Sequence, residues 1–117
     1  MIMASFILPT TDNSGESIAD VHSAVESYLA DTYGGYTISE TIGGWRDNGK
    51  LYRESGKRYD CAIQPESAEA FIAAAIAYGH MAQQLSVMTI CDGKPQFHDI
   101  AQAQSRAMGD AINTLAA

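Results

Sequence analysis

Apolar residues occupy both alternating phases of residues 2–8, IMASFIL. A strand with one wet face alternates, whereas one covered on both sides does not, so this stretch predicts a central strand. After the loop PTTDNSG, a helix is expected to start near Ser17, with Asp20 three residues on as in a capping box. Ile18, Val21, Val25, Tyr28 and Leu29 form its apolar stripe, and Gly34-Gly35 ends it. YTISETIGGW, residues 36–45, alternates again. Tyr36, Ile38, Glu40 and Ile42 share one phase, which reads as a half-buried strand.

Asn48-Gly49 is a two-residue hairpin signal, because a type I′ turn needs positive φ at both positions. The return strand runs from Lys50 to Ile63, with Gly56 suggesting a bulge or bend. Pro65, Glu66 and Glu69 open a second helix, whose stripe includes Phe71, Ile72, Ala75, Ile76, Ala82 and Leu85. SVMTIC is a further strand, Asp92-Gly93 a turn, and Pro95 confines any strand in KPQFHD to an edge. Asp99 is placed to cap a third helix carrying Ala103, Ala107 and Ala111. The order is βαββαβ plus a C-terminal helix, and it predicts an α+β ferredoxin-like sandwich. One domain is expected over 1–117, with a core at 1–98 and an added helix at 99–117. Helices 1 and 2 cover only one sheet face. Helix 3 or a second subunit is expected on the other, which makes a homodimer the expected assembly.

Charge changes this picture at one place. The chain carries a net charge of −7. Residues 1–45 hold no Lys or Arg, yet residues 46–58 hold Arg46, Lys50, Arg53, Lys57 and Arg58 against two acids. An acidic body repels nucleic acid and anionic lipid, so neither is an expected partner. The basic hairpin suits a small anionic ligand or a protein partner; charged strands that merely discourage aggregation would look the same. Trp45, the only tryptophan, is expected to stack on a base, to pair with Arg46 or Arg53 by cation–π contact, or to pack in the core or an interface. Glu40, in the apolar phase, is expected either buried with a raised pKa, paired with an Arg, or exposed. The candidate ligand-binding residues are Glu40, Trp45, Arg46, Arg53, Glu54 and Arg58. No catalytic residue is assigned.

Other chemistry finds little support. His22, His80 and His98 lack metal-ligand spacing, no phosphate-binding glycine motif is present, and no cofactor is expected. Cys61 and Cys91 read as free thiols. MIMASFILP has no basic residue before its apolar stretch, so it reads as a strand rather than a signal peptide, with a cytoplasmic location expected.

YGGYTISETIGGWRDNGKLYRESGKRYDCAI resembles a small bacterial and phage domain family of unknown function. Gly44, Trp45, Arg46 and Gly49 match its turn, and Leu51, Arg53 and Glu54 its return strand. YGHMAQQLSVMTICDG is similar to the family's helix-then-strand, and the resemblance spans roughly residues 4–98. It implies the fold and a phage association, but no activity. The leading expectation is a non-catalytic, oligomeric binding protein that acts through residues 44–58, with a phage role against a host factor. One alternative is a small enzyme using Glu40 and an Arg in a pocket between sheet and helices. The other is an acidic mimic of nucleic acid.

Overall fold

The structure, a computed structural model, describes residues 1–100. It is an α+β fold with a five-stranded antiparallel sheet and two helices. In chain order these are β1 (Ile2–Pro9), α1 (Ala19–Tyr33), β2 (Thr37–Asp47), β3 (Lys50–Ile63), α2 (Ala68–Met81), β4 (Ser86–Cys91) and β5 (Lys94–Asp99). The sheet order is β2-β3-β1-β4-β5. The apolar first strand is central, as its pattern requires, and the Pro95 strand is at the edge.

Both helices pack on one sheet face. Phe6 of β1 is paired with Tyr59 of β3, and the Phe6 ring meets those of Tyr59 and Phe71 at 5.4 and 5.5 Å. Val21, Val25 and Leu29 of α1 and Ala75 of α2 complete this core. His22 is buried in it. Its Nε2 sits 2.7 Å from the Pro9 carbonyl, which can only accept, so Nε2 carries the proton. Nδ1 then accepts from the Tyr59 hydroxyl at 2.5 Å. Burial pushes the Tyr59 phenol far above its ordinary pKa.

Three local expectations need correction. Ser17 is drawn into a bridge with Thr11, so α1 starts at Ala19 with Ile18 in the cap position and no capping box. The Ser17 hydroxyl accepts only from the Ala19 N–H. Gly56 makes no bulge, because the β2–β3 register runs unbroken through Thr41↔Gly56. A glycine is needed there for another reason. A Cβ would stand 2.9 Å from both the Leu8 carbonyl oxygen and Thr41 Oγ1. Finally, α2 ends at Met81, since Gln83 adopts a φ of 58°, and Leu85 is left exposed. The expected third helix, beyond Ile100, lies outside the described residues.

The thiol geometry follows from the strand order. Ala4 is paired with Cys61 on one side and Cys91 on the other. Two strand spacings, roughly 10 Å, exceed the reach of a disulfide. Burial and the nearby Asp60 push the Cys61 thiol up to about 11.

Candidate functional site

The second sheet face is the one the two helices leave open among the described residues. Register fixes which side chains it presents. Tyr52, Glu54, Gly56, Arg58 and Asp60 of β3 alternate onto it, together with Trp45 of β2, Ser5 and Ile7 of β1, Met88 of β4 and Phe97 of β5.

A cavity of about 590 Å³ opens at one end of this face. Its position follows from strand lengths. β1 stops at Pro9, opposite Gly56, while the β2–β3 hairpin continues to Asp47 and Lys50. The overhanging hairpin provides Gly43, Trp45 and Glu54 as one wall, and Leu85, Met88 and Phe97 form the other. Ile7, Pro9 and Gly56 lie between. Among the described residues, Glu54 is the only charged one in the lining, and no Lys or Arg reaches it. Partial desolvation raises the pKa of its carboxyl. Beside it, Trp45 stacks on Tyr52 with centroids 5.5 Å apart and planes 12° from parallel. Trp45 remains 48% exposed, so this aromatic platform is open to a ligand.

Beyond Gly56, Arg58 Nε donates to Asp60 Oδ1 at 2.8 Å and an Arg58 Nη2 donates to Ser5 Oγ at 3.3 Å. The Ser5 hydroxyl donates to the same Asp60 oxygen. Burial raises the Asp60 pKa, but Ser5 and Arg58 outweigh it and leave the carboxyl below its ordinary range.

The candidate residues from the sequence therefore separate. Trp45, Glu54 and Arg58 share the open face. Glu40, Arg46 and Arg53 fall in the opposite phase of the same hairpin. Glu40 is exposed, paired in register with Lys57, and lines a separate depression with Thr10, Ile42 and Ser55. Of the three expectations for Glu40, burial, pairing with an Arg and exposure, the structure shows exposure. It sits in the apolar phase, but at a stretch where the hairpin leaves the core. An Arg46 Nη donates at 3.3 Å to the carbonyl of Gly49 in the hairpin's own turn. Tyr52, Ser5 and Asp60 were not marked by sequence reasoning. The two-residue spacing of Tyr52, Glu54, Gly56 and Arg58 was visible, but it was indistinguishable from a solvated edge. Among the described residues, no group of three or more His, Cys, Asp or Glu is placed to hold a metal ion, and no helix is long and apolar enough to cross a membrane.

No family model and no curated protein matches the chain. Among solved structures, it is similar to a phage SAM lyase in its apo state, with a TM-score of 0.63 and 14% identity over 84% of this chain and 88% of that one. It is likewise similar to a phage SAM lyase in complex with S-methyl-5′-thioadenosine, with a TM-score of 0.58 and 11% identity over the same shares. At these identities the likeness is one of fold. The expected non-catalytic, anion-capturing role is corrected on two grounds. The structures that share the fold are of an enzyme, although Glu40, on which the enzymatic alternative rests, lies exposed and outside this cavity. And the cavity presents a carboxylate where an anion site would present cations.

Proposed function

We propose that this chain is an enzyme that cleaves S-adenosylmethionine as a lyase, releasing S-methyl-5′-thioadenosine. One observation carries the reading: a largely apolar cavity whose only charged lining residue, among the described residues, is a carboxylate. S-adenosylmethionine joins a purine to a sulfonium cation. The Trp45–Tyr52 platform suits the purine, since stacking on an aromatic side chain is worth roughly 1–3 kcal/mol per base. Glu54 suits the positive charge, and the acidic chain attracts a cation at long range. The fold-level likeness supports the reading without carrying it.

The chemistry asks little of the protein. The C–S bond breaks with its electron pair passing to sulfur, which leaves as a neutral thioether and needs no acid. No water enters in a lyase step. The substrate's own carboxylate therefore closes on the departing carbon and forms a lactone. A sulfonium and a carboxylate disappear together, so the transition state is less charged than the ground state. Apolar walls such as Leu85, Met88 and Phe97 favour such a step, and holding the tail folded supplies proximity. Glu54 binds and orients; a carboxylate held against sulfur throughout would stabilise the ground state more.

We read the architecture as a ferredoxin-like sandwich with a fifth edge strand, on the support of the β2-β3-β1-β4 order. A homodimer remains a proposal, motivated by exposed Met3 and Phe97 on the open face. The test of function is direct. Purified protein is incubated with S-adenosylmethionine, and products are followed by mass spectrometry. S-methyl-5′-thioadenosine should accumulate in proportion to protein. Unchanged substrate after prolonged incubation would refute the assignment.

A further inference from the structure

We propose that Asn13 and Gln84 read the purine edge of the substrate and make the site selective for a 6-aminopurine; this rests on the lyase reading above. Both residues line the cavity that holds Trp45 and Glu54. Their side chains are tied to consecutive carbonyls of one turn. Asn13 Nδ2 donates to the Gln83 carbonyl at 2.6 Å, and Gln84 Nε2 donates to the Ala82 carbonyl at 3.1 Å. A carbonyl can only accept, so the nitrogen of each carboxamide is fixed on the turn and its oxygen is the free end. Among the described residues, neither oxygen accepts a hydrogen bond.

The chain around both side chains holds them in place. β1 ends at Pro9, yet the Thr10 N–H still donates to the Ser55 carbonyl at 3.0 Å. The loop that follows therefore leaves beside β3, in the notch that the hairpin overhangs. Asp12 Oδ1 accepts from the Ser14 and Glu16 N–H groups at 2.8 and 3.0 Å, which closes this loop around Asn13. On the other side, Ala82 and Gln83 lie past the last residue of α2, so their carbonyls are not spent in the helix. Gln84 is half-buried, and Asn13 stands at the exposed rim.

Two fixed acceptors suit a group with two N–H bonds. The exocyclic amine of adenine is such a donor, and carboxamide side chains pair with that edge of the base. A 6-oxopurine puts a carbonyl oxygen at the same place, against two amide oxygens. Flipping either amide to receive it would break the bond to Ala82 or Gln83. A purine stacked on Trp45 and directed toward the turn presents its amine to this pair. Glu54 follows Tyr52 by one two-residue step, roughly 7 Å, and remains for the sulfonium beyond the ribose.

S-methyl-5′-thioadenosine and S-methyl-5′-thioinosine carry an amine and a carbonyl, respectively, at the purine position in question. Wild type, Asn13→Ala and Gln84→Ala are titrated with each by calorimetry. Wild type should prefer the thioadenosine about tenfold or more, because a site built to bond an N–H rejects the analogue that lacks it. Each variant should cut that preference about threefold or more, through weaker binding of the thioadenosine. A purely structural tie between loop and turn would weaken both nucleosides equally and leave their ratio unchanged, which overturns the inference. So does a full wild-type preference in either variant. If wild type binds neither nucleoside and releases no thioadenosine from S-adenosylmethionine, the lyase reading falls and this inference with it. If wild type turns over S-adenosylmethionine but binds the two nucleosides alike or not at all, only the inference falls.

Discussion

Glu54 lies directly opposite Gly43 across the β2–β3 ladder, so the neighbouring strand offers no side chain to cover its carboxylate. The strand on its other side, β1, has already ended. An acid left bare between a glycine and a strand end, at the wall of an apolar cavity, is available to a ligand rather than to the fold.

The Trp45 platform gives the first prediction. Trp45→Ala should weaken S-methyl-5′-thioadenosine binding roughly 5- to 150-fold, the equivalent of about 1–3 kcal/mol of stacking. Because Trp45 is the only tryptophan, its fluorescence in the wild type should also change on titration. A constant emission, together with unaltered affinity in the variant, would remove Trp45 from the site.

Gly56→Ala should destabilise. Its methyl meets backbone oxygen on one side and Thr41 on the other, and overpacking of this kind costs typically 1–3 kcal/mol, by order of magnitude. The melting temperature should fall. An unchanged melt would show that β1 and β2 separate more readily than their register implies.

Tyr59→Phe removes the donor to His22 Nδ1 and leaves a buried acceptor unpaired. The expected loss is about 1–3 kcal/mol in chemical denaturation. A variant as stable as wild type would mean that the His22–Tyr59 bond contributes nothing net.

Asp60 gives a pH-dependent prediction. Its folded-state pKa is depressed, so its contribution to stability is present above the unfolded value of about 3.9 and is lost as pH falls through the folded value. Wild type should therefore lose stability below about pH 4 more steeply than Asp60→Asn. Parallel acid melts of the two proteins would contradict the hold of Ser5 and Arg58 on Asp60.

The fold was largely legible in the sequence, and the site was not. Doubled apolar phases placed β1 at the centre, and Asn48-Gly49 made the turn, with φ of 51° and 79°. The same alternation misled at Glu40. Ile38 and Ile42 flank it in sequence, but the hairpin outruns β1, and Ile42 is 68% exposed. Periodicity reports which residues share a face; it cannot report where a neighbouring strand stops. The spacing of Leu85 fits a helical stripe, whereas the positive φ of Gln83 turns the chain away. The cavity joins the hairpin to Leu85 and Phe97, whose proximity is set by strand order rather than by any local pattern.

The central claim is that the cavity reads a positive charge through Glu54. It is tested most directly with two ligands that differ by one methyl group and one charge: S-methyl-5′-thioadenosine and its S-methylated dimethylsulfonium derivative. Calorimetric titration of the wild type should favour the sulfonium by about fivefold or more, roughly 1 kcal/mol. Glu54→Gln should abolish that preference while melting no earlier than wild type, since the variant sheds a partly desolvated charge. Equal affinity of the wild type for the two ligands, or a preference that survives in Glu54→Gln, would contradict the account.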